Sequence, residues 1–145
     1  MNDHDEQALA ERVVSAMMAK DAFSRQLGIE VVQVVPHGAT VKLTVRDDML
    51  NGFGVCHGGV PFSLADSALA FASNTHGTIT VSIENSITYP KRIAAGDVLV
   101  ATAVRESSTN RLAFFRVTVA RGEETVALFR GTVYKTSNAF FKDIE

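Results

Sequence analysis

The first 20 residues alternate charged and apolar positions so that Leu9, Val13, Ala16 and Met17 fall on one stripe. That spacing predicts an amphipathic helix over residues 5–20 with one face packed on a core. A second short turn is expected over Ala22–Gln26, ended by Gly28. Two β-branched runs follow, Ile29–Val35 and Ala39–Val45, linked by Pro36-His37-Gly38. Such a link between such runs predicts a hairpin, with His37 solvated in its turn. Asp47-Asp48 close the second strand.

The segment Gly58–Thr75 has another character: GGVPFSLADSALAFASNT is small and apolar on every side. A helix without a polar face is a buried helix. Pro61 suits its first turn and Gly77 its end. Four β-rich runs come after it, Thr78–Tyr89, Val98–Glu106, Leu112–Arg121 and Thr125–Lys135, with turns at 95–97, 107–110 and 122–123. Strands joined by short turns pair antiparallel. One apolar helix with no second helical layer has to be wrapped by that sheet. The expected fold class is therefore α+β, a hotdog: a curved antiparallel sheet of about five to six strands around one long central helix.

Composition narrows the setting. The 145 residues suit a single domain over 1–145, and 46% hydrophobic with 21% charged residues is ordinary for a globular chain. A net charge of −2 favours neither nucleic acid nor an anionic membrane as partner. No apolar run reaches the roughly 18 residues that span a bilayer. The start, MNDHDEQALAERVV, lacks the basic and apolar regions of a signal peptide. One cysteine, Cys56, excludes an internal disulfide and fits a cytoplasmic setting. Four scattered histidines match no metal-ligand spacing, so no metal and no separate cofactor are expected.

Asp66 is the residue that packing does not require. It sits mid-way along the apolar helix, in Leu64-Ala65-Asp66-Ser67-Ala68, with no Lys or Arg in the same helix. Burying a lone carboxylate is costly or raises its pKa, and such groups concentrate where chemistry is done. The bland alternative is that backbone groups, Ser63 or Ser67 satisfy it. Upstream, Asn51-Gly52-Phe53-Gly54-Val55-Cys56-His57-Gly58-Gly59 delivers the chain into the helix N-terminus. Glycines there allow close approach of a ligand, and free N–H groups favour developing negative charge. Attack on a thioester puts such a charge on the carbonyl oxygen.

Gly58 and Asp66 lie eight residues apart, about 12 Å along a helix. A reacting carbonyl must lie about 3 Å from both its donor and its attacking group. One straight helix cannot bring both to one atom. The simplest arrangement uses two chains, Gly58 of one facing Asp66 of the other, with two equal sites by symmetry.

The run NGFGVCHGGVPFSLADSALAFASN resembles the signature of the PaaI-type thioesterases of bacterial phenylacetate degradation, a branch of the hotdog superfamily. Asn51, His57-Gly58-Gly59 and Asp66 stand in it without a gap. The resemblance extends to Asp47–Leu50, Glu84–Tyr89, Ala95–Leu99 and Val126–Gly131, and is least diagnostic over the first 20 residues.

It implies hydrolysis of phenylacetyl-CoA, especially ring-hydroxylated forms, to free acid and CoA, with CoA as part of the substrate. It also implies a homodimer, or a tetramer of two such dimers. By position, Asp66 matches the catalytic acid, as nucleophile or as general base on water. Asn51 matches the residue that holds the water or the acid. Gly58 matches the backbone donor to the thioester carbonyl, with Gly59 beside it in the substrate-binding loop. His57 matches the adjacent histidine that orients Asn51 or the carbonyl, and Ser82 matches a water-positioning hydroxyl of some relatives. Cys56 has no counterpart as catalyst.

Lys91, Arg92, Arg105 and Arg111 are the cations expected to meet the phosphates of CoA. Phe53, Phe62 and Phe71 are expected to serve core packing ahead of an aryl pocket. Two rival functions use the same residues. A hotdog dehydratase would pair His57 with Asp66 on a β-hydroxyacyl chain, and an acyl-CoA-binding module would need no chemistry from Asp66.

Overall fold

A computed structural model describes residues 1–142. Helix α1 spans Asp3–Lys20, starting two residues before the expected point because the Asn2 side chain caps it, accepting from the Asp5 N–H at 2.9 Å. Asp3, Asp5 and Glu6 fill the first turn and Lys20 the last, which complements the helix dipole. The buried stripe is Ala10, Val13 and Val14, continued by the partly buried Met17 and Met18. It is rotated by one position from the expected stripe, and Leu9 is left half-exposed. α1 packs on strand β1 and on the central helix. Helix α2 (Ala22–Gln26) ends at Gly28, whose φ of +75° only glycine adopts easily.

Strands β1 (Glu30–Val35) and β2 (Gly38–Thr44) form the expected hairpin, with Val35 opposite Gly38. Its turn is not simply solvated. His37 has a left-handed φ of 61°, and its N–H donates to Thr75 Oγ1 at 2.8 Å. Helix α3 (Gly59–Asn74) buries residues all round its axis, among them Leu64, Leu69 and Phe71 at 0% exposure. Burial of each such side chain contributes about 1.5–3 kcal/mol.

Strands β3 (Thr78–Thr88), β4 (Val98–Ser108), β5 (Leu112–Arg121) and β6 (Glu124–Ala139) complete one antiparallel sheet in the order β1-β2-β4-β5-β6-β3. Alternate residues face α3: Ala39, Val41 and Leu43 from β2, Leu99, Ala101 and Ala103 from β4, Phe115, Val117 and Val119 from β5. Strands β2 to β6 all contact α3. This is the hotdog arrangement, with the number of strands at the upper end of expectation. Strand β3 crosses over to pair with β6, so it forms one edge of the sheet. Among the described residues no helix is long and apolar enough to cross a membrane.

Candidate active site

The loop before α3 is stapled at three points. Asn51 N–H donates to Val55 O, Cys56 N–H to Ile93 O and His57 N–H to Met49 O, each at 2.8 Å. The Asn51 side-chain oxygen accepts from the N–H groups of Phe53 (2.9 Å) and Val55 (3.3 Å). Gly54 completes the turn with a φ of +76°. Asn51 thus shapes its own loop, and its side-chain NH₂ has no acceptor among the described residues. Phe53 does not serve the core: it is 93% exposed on this loop. Phe71 is core, and Phe62 packs edge-on against Phe129 with ring centres 5.4 Å apart.

At the start of α3 the three orphan donors separate. His57 Nδ1 accepts from the Gly59 N–H at 2.9 Å, and His57 O accepts from Val60 at 3.0 Å. The Gly58 N–H has no acceptor among the described residues, which leaves one amide of the helix N-terminus available. The same Gly58 is held from the other side, because Tyr89 Oη donates to its carbonyl at 2.8 Å. A Cβ on Gly58 would come within 3.1 Å of that hydroxyl. His57 therefore orients the glycine turn and makes no bond to Asn51. Its engaged Nδ1 is an acceptor, which puts the proton of the neutral ring on Nε2.

Asp66 lies half-buried on α3. Neither Ser63 nor Ser67 satisfies it: Ser63 donates to Gly59 O at 2.7 Å, and Ser67 Oγ pairs with Ser24 Oγ at 2.7 Å. Its partner comes from β3, where Asn85 Nδ2 donates to Asp66 Oδ1 at 3.2 Å. Ser82 Oγ in turn donates to Asn85 Oδ1 at 2.8 Å. Burial raises the Asp66 pKa, the Asn85 hydrogen bond opposes this, and the charge of Asp21 adds to the rise. No cation is paired with Asp66 among the described residues. Gly131, opposite Asn85 in β6, makes room for the pair: a Cβ there would stand 2.4 Å from Leu69 Cδ2 and 2.9 Å from Asn85 Oδ1.

The expected cations fall at two places. Lys91 and Arg92 are exposed beside the 51–58 loop, and the Arg92 carbonyl accepts from Arg121 Nη1 at 2.9 Å. Arg105 and Arg111 lie beyond the other end of α3, with His37 and Tyr134 as respective partners at 3.3 and 3.4 Å. Cys56 is buried and its thiol is pushed up to about 11 by desolvation, then by Asp97, so it stays protonated and is no nucleophile. Among the described residues no three His, Cys, Asp or Glu side chains group as metal ligands.

The sequence profile of the Thioesterase superfamily matches residues 53–128, more than half of the chain. The chain belongs to the thioesterase superfamily. The matched span of this thioesterase contains Asp66, His57, Gly58, Gly59, Ser82 and the Asn85 pair, while Asn51 lies just before it. The chain is 40% identical over 121 residues to the acyl-coenzyme A thioesterase PaaI of Escherichia coli, covering 83% of this chain and 86% of that one. It superposes on the structure of the E. coli PaaI protein from the phenylacetic acid degradation operon with a TM-score of 0.89 and 34% identity, covering 92% and 97% of the two chains. A Streptococcus mutans protein bound to acetyl CoA matches with a TM-score of 0.73 and 27% identity, covering 77% and 90%.

Two residues of the site, Asn85 and Tyr89, were not singled out from the sequence. Strict alternation would set Ser82 and Asn85 on opposite faces of β3. A bulge between Ser82 and Glu84 shifts the register and brings them to one side.

Proposed function

We propose that this thioesterase hydrolyses acyl-CoA thioesters with Asp66, aided by the Gly58 amide of a second subunit. The observation that carries this is a pair of groups at α3, among the described residues: a half-buried Asp66 carboxylate with no cation beside it, and the N–H of the capping Gly58 with no acceptor. A carboxylate with a raised pKa is the better base, and Asn85 fixes its direction. Asp66 either attacks the carbonyl carbon or takes a proton from water that does. As the attacking oxygen bonds to carbon, the carbonyl oxygen takes up negative charge beside the Gly58 N–H. That charge returns as the C–S bond breaks. The leaving sulfur takes its proton from protonated Asp66 on the water route, or from solvent on the direct route, where a water then hydrolyses the acyl-Asp66 anhydride to free acid.

Gly58 and Asp66 of one chain are about 12 Å apart along α3, so a second chain is part of the reading. The β3 edge supplies a surface for it. This strand is 11 residues long, with Val81 and Ile83 exposed by 46% and 58%. Long apolar edge strands are templates for pairing. Both Asn85 and Tyr89, which hold the two halves of the site, are carried on or just after this strand. Assembly as a homodimer, or as a tetramer of dimers, belongs to the same proposal, as does a cytoplasmic setting.

The relatives lend support to one choice of substrate class. The PaaI similarity favours phenylacetyl-CoA and hydroxylated aryl-CoA esters, and the exposed Phe53 ring beside Asn51 is available to an aryl group. Lys91 and Arg92 are the nearer cations for CoA phosphates in the same chain, and Arg111 would meet them only across subunits. Steady-state kcat/KM across aryl and aliphatic acyl-CoA esters, followed by thiol release, tests the reading. Asp66→Asn should lower turnover by about 10²–10⁴-fold. Unchanged turnover, or an enoyl product in place of a thiol, would refute it.

A further inference from the structure

Beyond the far end of α3 from the 51–58 loop, four side chains from four elements close on one cavity of about 100 Å³. His37 comes from the β1–β2 turn, His76 from just after α3, Arg105 from β4 and Lys135 from β6. Ala113 and Phe115 form part of the wall, and among the described residues no carboxylate lines it.

Both ring nitrogens of His76 are buried and have no partner among the described residues. A neutral imidazole carries one donor and one acceptor, and leaving both unmet is costly. The His37 ring stands 5.9 Å away, centre to centre. Arg105 Nη1 lies 3.3 Å from His37 Nδ1; since arginine keeps its protons, it donates and the His37 proton sits on Nε2. Lys135 Nζ donates to Thr109 O at 2.7 Å and to Ser108 Oγ, which leaves one of its three N–H bonds. Burial first, then the neighbouring positive groups, hold His76 at about 4 and depress His37. At neutral pH the cavity therefore has two fixed cations, two neutral imidazoles and, among the described residues, no counter-charge.

We propose that this cavity binds a small oxyanion of the size of inorganic phosphate. Its donors arrive from four separate elements, an arrangement suited to a tetrahedral anion more than to a planar carboxylate. The volume admits phosphate and excludes a nucleotide. A bound anion would satisfy His76, favour its protonation, and tie the β1–β2 turn, the end of α3 and strands β4 and β6 together. It would stabilise the fold by mass action. The site is independent of the Asp66 chemistry.

The test is histidine ¹³C NMR of the full-length protein, titrated with inorganic phosphate at neutral pH and constant ionic strength, with chloride as the balancing salt. The His76 ring signal, assigned with His76→Gln, should move saturably, and its titration midpoint should rise from about 4. Arg105→Gln, at an exposed position, should weaken phosphate binding about tenfold, as expected for loss of one charge-assisted hydrogen bond. Three results would overturn the proposal: no saturable movement, the same movement with chloride alone, or undiminished binding by the Arg105 variant. A response to CoA but not to inorganic phosphate would also overturn it.

Discussion

Asn85 and Asp66, 19 residues apart in sequence, meet across the gap between sheet and helix at 3.2 Å. This hydrogen bond opposes the effect of burial on the Asp66 carboxyl. Removing it with Asn85→Leu should raise the Asp66 pKa further. The ionised form is the active one, so the acid limb of the pH–kcat/KM profile should move to higher pH, with less change on the alkaline side. An unmoved acid limb would show that Asn85 does not tune Asp66.

The same raised pKa sets a cost to stability. Asp66 binds its proton more tightly in the folded chain than in the unfolded one, whose value is near 3.8. The ionised carboxylate therefore destabilises the fold above its folded pKa, and this effect disappears below the unfolded value. Asp66→Asn should have a higher Tm than wild type at neutral pH, with the advantage shrinking as pH falls toward 3.8. Thermal melts across that range would decide it, and an equal or lower Tm at neutral pH would count against a strained site.

Gly131 acts through its missing side chain. A Cβ would collide with Leu69 Cδ2 at 2.4 Å and crowd Asn85 Oδ1 at 2.9 Å. Gly131→Ala should lose about 1–3 kcal/mol of stability in denaturant unfolding, and should also lower kcat by displacing Asn85. Loss of stability without loss of kcat would separate the packing role from the site.

His76 makes the fold acid-sensitive. Its folded pKa of about 4 lies below the unfolded 6.5, so the unfolded chain takes up a proton first as pH falls. The stability it contributes is complete above about 6.5 and is lost progressively down to about 4. Burial and the positive charges of Lys135, Arg105 and any protonated His37 set this shift. His76→Phe should flatten the fall in unfolding free energy across that window, measured by urea unfolding at several pH values. An unaltered slope would exclude His76 as its source.

The elements were legible because their periods differ. The apolar helix α3 and the alternating strands stand out from the residues alone, and the short turns compel antiparallel neighbours. The place of β3 was not legible: residues 89–97 carry the chain away from it, and β6 alone decides its pairing. Asp66 was visible as a charge in an apolar helix. Asn85 was hidden by the bulge in β3, and Tyr89 by its place at a strand end that reads as surface. His37 reads as solvated from its turn, but it is held against Thr75 and His76 by contacts that no local pattern encodes.

The sharing of one site by two chains can be tested by subunit mixing. Gly58→Pro removes the unmet amide at a φ of −57°, which suits proline, while its Cβ presses on the Tyr89 hydroxyl 3.1 Å away, so the fold of the variant is checked first; Asp66→Asn removes the carboxylate. Each variant alone should be nearly inactive. Refolded together in equal amounts, half the dimers are mixed and each holds one intact site, so about one quarter of wild-type kcat should return. No recovery from a mixture shown to contain mixed dimers would contradict a site built from Gly58 of one subunit and Asp66 of the other.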